Sequence, residues 1–148
     1  MNYKKNMTAF TKIEFVDLGL SVRWASCNIG ASSPEDCGTY VSQLEYDNLN
    51  AESASQYKVP SREEWQELMR ECTWRFTTQN GVKGELVVGP NGNSIFLPAS
   101  FDDEKQGKYW SSSSNENETY YLDFNFIGIR MNNECRTNSL CVRFVNSY

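Results

Sequence analysis

Histidine is missing from all 148 residues, and with it go Ser-His-Asp and Cys-His nucleophile arrangements, histidine zinc sites and histidine general bases. Lysine and arginine are few and dispersed: 14 against 19 acidic residues, a net charge of -5. That balance excludes the basic stripe of a phosphate-backbone binder, so no nucleic-acid partner is expected. No apolar run is long enough to span a bilayer, and Met1 to Phe10 holds two lysines but no signal-peptide core. The expectation is a chain without membrane insertion, made without export or freed of its leader. Gly81-Val82-Lys83-Gly84 lacks the spacing and the strand-to-helix context of a phosphate loop.

The five cysteines, Cys27, Cys37, Cys72, Cys135 and Cys141, are an odd number with no metal-ligand spacing. Cys135 and Cys141 flank a polar stretch and could approach if the strands around them pair, but unbridged thiols are the plainer expectation. Glu63-Glu64 opens a helix and Asp102-Asp103-Glu104 lies in a loop, so both read as solvated carboxylates. Neither run has the loop spacing of a calcium cage. The expectation is a non-enzyme with no cofactor and no metal.

What is present is ordinary globular composition with an aromatic surplus, 39% hydrophobic and 14% aromatic. One domain over residues 1–148, with 1–12 as a flexible lead, buries enough surface for a sizeable core. Ser61 followed by Glu64 is a capping box, and Trp65, Leu68, Met69 and Cys72 form one apolar stripe at helical spacing. Glu85-Leu86-Val87-Val88 and Ser94-Ile95-Phe96-Leu97 flank Gly89-Pro90-Asn91-Gly92-Asn93, where Asn91-Gly92 supplies positive φ for a hairpin. Ile13 to Trp24 reads as strand, turn, strand, and Trp74 with Phe76 begins another strand. Strands open the chain, follow the helix and close it, which gives an α+β domain with its two ends side by side.

The C-terminal forty residues carry the functional pattern. Leu122, Phe124 and Phe126 alternate with Tyr121, Asp123 and Asn125, and Leu140, Val142 and Phe144 again share one face. Met131 to Asn138 has too many amides to pack and reads as an exposed loop. Gly128 reads as a bulge that returns Ile129 to the core. Trp110 reads as core.

Several separated blocks carry a resemblance: Val16-Asp17-Leu18-Gly19-Leu20-Ser21-Val22-Arg23-Trp24-Ala25, Val59-Pro60-Ser61-Arg62-Glu63-Glu64-Trp65, Cys72-Thr73-Trp74, Gly92-Asn93-Ser94-Ile95-Phe96-Leu97-Pro98-Ala99, Tyr109-Trp110-Ser111-Ser112-Ser113 and Val142-Arg143. In this order they resemble the Fibrobacter succinogenes major paralogous domain, common in gut Bacteroidetes. The resemblance implies a C-type-lectin-like fold of the formylglycine-generating-enzyme branch. It implies a cell-surface or virion location, and kinship with the variable target proteins of diversity-generating retroelements, in bacteria or phage. In those proteins a C-terminal segment varies at template adenines. Asparagine codons can then become Tyr, Asp, Ile, Ser, Thr, Cys or Arg, and the candidate positions are Asn115, Asn117, Tyr121, Asp123, Asn125, Ile127, Asn132, Asn133, Cys135 and Asn138. The Glu-Pro-Asn and Trp-Asn-Asp strings of calcium-dependent lectins are absent.

The expected function is therefore calcium-independent binding of a surface ligand, protein or glycan, by those ten positions. Tyr121 and Ile127 would anchor, Asp123, Asn125, Asn132 and Asn133 would select, and self-association is allowed for. The competing readings are an undiversified adhesin or structural lectin-like domain, and a cysteine-dependent oxidase of the sulfatase-maturing type.

Overall fold

The computed structural model describes residues 13–43, 45, 57–100, 103–114, 118–135 and 138–148, with backbone alone for 113, 114, 118, 134 and 135. Helix α1, Arg62–Glu71, starts where the capping box places it. Ser61 Oγ accepts from Glu64 N at 3.1 Å, and Glu64 Oε1 accepts from Ser61 N at 2.8 Å. Trp65 and Leu68 are wholly buried, and Met69 and Cys72 pack beside them.

Nine strands form three antiparallel sheets. The first joins β1 (Phe15–Val16), β2 (Arg23–Ala25) and β9 (Val145–Asn146), so the chain's two ends do pair, Trp24 opposite Val145. The second is a meander of β3 (Thr73–Gln79), β4 (Val82–Val88) and β5 (Ser94–Pro98). The expected hairpin aligns Val88 with Ser94 and Glu85 with Leu97. Of its central Asn91-Gly92 step only Gly92 takes positive φ, at 92°. The sharper two-residue turn lies one hairpin earlier, where Asn80 and Gly81 take φ of 50° and 82° between β3 and β4. Positive φ at both positions matches the right-handed twist of the flanking strands.

The third sheet is β6 (Gln106–Ser114), β7 (Glu118–Asn125) and β8 (Ile129–Cys135), with β7 in the centre. Three expectations change here. Residues 131–135 are strand and not loop, because the chain reverses at Asn125 and not after Ile127. Asn125 Oδ1 accepts from Ile127 N and Gly128 N at 2.8 and 3.1 Å, and Asn125 N donates to Gly128 O at 2.9 Å. A side-chain carbonyl that satisfies two turn amides closes the hairpin at that residue. Ile129 does reach the core side, opposite Phe124, but through this turn and without a bulge at Gly128. Phe126, expected in the core, is a turn residue and 69% exposed.

Alternation predicts a two-faced strand over Leu140 to Val145, yet all six residues are buried. Only single bridges and the start of β9 interrupt an otherwise irregular course. It threads between the sheets, and Arg143 is its centre: 0% exposed, with Nε donating to Asn28 Oδ1 at 2.7 Å and the two terminal nitrogens to Ala25 O at 3.0 Å and Phe96 O at 2.6 Å. Asn28 Nδ2 donates onward to Tyr109 Oη at 2.9 Å, and that hydroxyl donates to Pro98 O at 2.9 Å. One polar network thus ties all three sheets. Burial lowers the Arg143 pKa and raises that of Tyr109.

Glu85, 3% exposed, lies on β4 level with Phe76 and Leu97. Burial pushes its carboxyl from 4.5 up to about 7. A folded pKa above the unfolded one favours the protonated fold, so this residue's contribution is most favourable below pH 4.5 and declines as pH rises to about 7. Urea unfolding of Glu85→Gln is expected to match the parent near pH 5 and to exceed it by about 1–3 kcal/mol at pH 8.

Candidate functional site

Side chains alternate along the third sheet, so its cross-strand register defines two faces. The inner face carries Phe124 with Ile129, and Tyr109 with Leu122 and Met131, all in the main core. The outer face carries Gln106 with Asn125, then Lys108, Asp123 and Arg130, then Trp110, Tyr121 and Asn132.

That outer face is half covered. Trp110 Nε1 donates to Val41 O at 2.7 Å, Val41 bridges Leu140, and Thr119 meets Gln43. Trp110 and Tyr121 therefore sit in a second apolar cluster with Val41, Leu140, Val142 and Phe144. Two sequence expectations are corrected as a result. Tyr121 is 5% and Asp123 6% exposed, so neither faces solvent. The two-residue period gave them the right side of the strand, but the folded-back segment around Val41 covers that side at Tyr121. Asp123 is held by Arg130, whose Nε and one terminal nitrogen both reach Asp123 Oδ2 at 3.2 Å. Asp123 Oδ1 is buried without a hydrogen bond. Lys108 Nζ stands 5.5 Å from the Tyr121 ring centroid.

In those same rows the β8 members, Arg130 and Asn132, are exposed; in the next row Asn125 is half-buried, and beyond it the hairpin tip presents Phe126 at 69% and Ile127 at 80% exposure. Of the described large apolar residues only these two and Tyr148 stand in solvent. Past Gln106, which pairs with Asn125 at the foot of the hairpin, opens a groove of about 320 Å³ lined by Tyr40, Asp103, Gln106, Lys108, Asn138 and Ser139. A larger concavity of about 460 Å³, among Glu35, Asp36, Cys37, Lys83 and Glu104, borders it at Ser100.

Of the ten positions singled out in the sequence, Ile127, Asn132 and Asn138 are exposed and Asn125 is half-buried, and of these Asn138 lines the groove. Asn133 is strand-adjacent to Asn132 and so projects to the opposite face, beside Tyr120. Tyr120 in turn lies under Arg62 of α1, 4.3 Å from guanidinium to ring centroid. Asn115 and Asn117 lie outside the described residues, as does the side chain of Cys135. Sequence reasoning missed Phe126, Lys108 and Arg130. The Asn125…Gly128 spacing was the signal for Phe126, because it marks the turn that exposes it.

Cys27, Cys37, Cys72 and Cys141 are thiols and not disulfides, and Cys141 is 1% exposed. Burial first, then the Glu67 and Glu71 carboxylates, push the Cys72 thiol up to about 11. Among the described residues no three His, Cys, Asp or Glu side chains are placed to hold a metal ion, and no helix is long and apolar enough to cross a membrane. No family model, curated protein or solved structure matches this chain. The three small antiparallel sheets and the helix α1 of the described residues are those of an α+β protein.

Proposed function

We propose that this protein is a binding module of C-type-lectin-like type. Its contact surface is the uncovered half of the β6–β7–β8 sheet, with Phe126 and Ile127 as the anchor and the neighbouring groove as the polar selector. The observation that carries the reading is the tip itself. Two large apolar side chains stand 69% and 80% exposed on a turn locked by Asn125, over a sheet whose other face is core. Exposed apolar groups on a rigid support lose little conformational freedom on binding, so their burial goes into affinity. Gln106, Lys108 and Asn138 in the groove and Asn132 exposed on β8 offer donors and acceptors that fit a glycan or a protein surface, in a reading that calls for no calcium.

The same division suits diversification. Asn125, Ile127, Asn132 and Asn138 can change with little effect on the core, whereas Tyr121 and Asp123 belong to the buried frame. The surface would then display variants of one binding face at a cell or virion exterior.

Screening the chain on glycan and protein arrays without calcium tests this. A ligand is expected whose binding Ile127→Asp removes and Asn133→Ala, on the opposite face, leaves intact. Binding that responds to Asn133 and ignores Ile127 would move the site elsewhere.

A further inference from the structure

Among the described residues, nothing pairs with the outer edge of β8. The bond from Asn125 N to Gly128 O sets the phase of the hairpin, so Asp123 with Arg130 and Tyr121 with Asn132 exchange backbone bonds. The N–H and C=O groups of Ile129, Met131 and Asn133 then point away from β7. No strand of the described residues lies there, and among the described residues no backbone bond reaches Ile129 or Met131 from that side. Among the described residues Asn133 N is met by the adjacent side chain, Asn132 Oδ1 at 2.9 Å, a local capping of the amide. The opposite edge of the sheet is treated differently: Trp110 N and Ser112 N on β6 donate to Cys141 O and Pro60 O at 3.0 and 2.7 Å.

We infer that β8 pairs antiparallel with β8 of a second copy of this chain, about a two-fold axis at Asn132. The phase requires outward residues to bond outward residues, which leaves few registers. Centring on Asn132 sets Met131 against Asn133 of the second copy and Ile129 against its Cys135 as bonded pairs. It also places Arg130 and Glu134 of the second copy at opposed register positions, twice, so the register matches a basic with an acidic residue. Centring on Met131 or Asn133 sets Arg130 or Glu134 opposite an amide instead. The charge pattern of β8 therefore selects a self-complementary register, the form a closed two-fold contact requires. Two uncharged Asn132 amides meet on the axis, where like charges would repel. An unrelated extended peptide offers no such match to this sequence, which is why a second copy is the occupant.

The product is a continuous six-stranded sheet with both outer faces on one side and the two Phe126-Ile127 tips at opposite ends. Two copies of the contact surface in one particle add avidity to a weak site. The pairing rests on the strand edge alone and holds whatever the tip binds.

Analytical ultracentrifugation over micromolar concentrations tests it. The parent chain is expected to form dimers. Asn132→Asp and Asn132→Lys each place like charges together on the axis and should raise the dimer dissociation constant at least about fivefold. An equal mixture of the two should restore the dimer as a heterodimer. Asn132 is exposed, so circular dichroism should show both variants folded. A parent that stays monomeric overturns the inference and leaves the edge for a strand of another protein, which capture with an extended peptide library would reveal. Single variants that dimerise as the parent does, or a mixture no tighter than either alone, overturn it as well.

Discussion

Arg143→Met is expected to lower the free energy of unfolding by about 3–5 kcal/mol. Replacing a buried ion by an apolar residue can be harmless when both partners of an ion pair are replaced together. Here the guanidinium bonds three neutral oxygens, Asn28 Oδ1, Ala25 O and Phe96 O, and two of these are backbone carbonyls that no mutation removes. Methionine fills the volume and leaves all three acceptors buried and unmet. Arg143→Lys should do nearly as badly, because one ammonium cannot span three acceptors that a planar fork reaches. A lysine variant as stable as the parent in urea unfolding would show that charge, and not fork geometry, is what the site uses.

The second large effect is Trp65→Ala, at about 3–5 kcal/mol. The indole is wholly buried, 4.7 Å from the Trp24 ring centroid and 5.9 Å from that of Tyr109, and its Nε1 donates to Trp110 O at 3.1 Å. Truncation opens a cavity where α1 meets the first and third sheets and orphans that carbonyl. Trp65→Phe keeps most of the volume and loses the bond, so it should cost about 1–3 kcal/mol, which separates packing from hydrogen bonding. Against a total stability of about 5–15 kcal/mol for a domain, either Arg143→Met or Trp65→Ala leaves the chain close to unfolding at 37 °C.

The contrast between these two residues shows what the sequence discloses. Trp65 announces itself, because the capping box and the apolar stripe are local patterns read within eleven residues of one another. Arg143 does not, because a charged residue reads as surface until its partners are known, and Asn28 is 115 positions away. The hairpin at Gly89–Asn93 was legible from its turn residues, and Asn80-Gly81 carried an equally clear signal for the turn before it. For the third sheet, alternation correctly separated Leu122 and Phe124 from Tyr121 and Asp123. It could not show that the segment around Val41 folds over the second set, since nothing in a strand's own residues encodes what covers it. The site was thus half legible: Asn125, Ile127, Asn132 and Asn138 lie on the open surface, while the covered half and the Phe126 tip depended on tertiary contacts and on one side-chain turn.

The most direct test of the central claim is the Phe126→Ser, Ile127→Ser double variant, measured for thermal midpoint and for binding to the ligand the arrays identify. Since both side chains stand in solvent, the midpoint should stay within about 2 °C of the parent while binding falls at least about tenfold. Undiminished binding, or a midpoint lowered by more than about 5 °C, would show that the tip belongs to the framework and is not the contact surface.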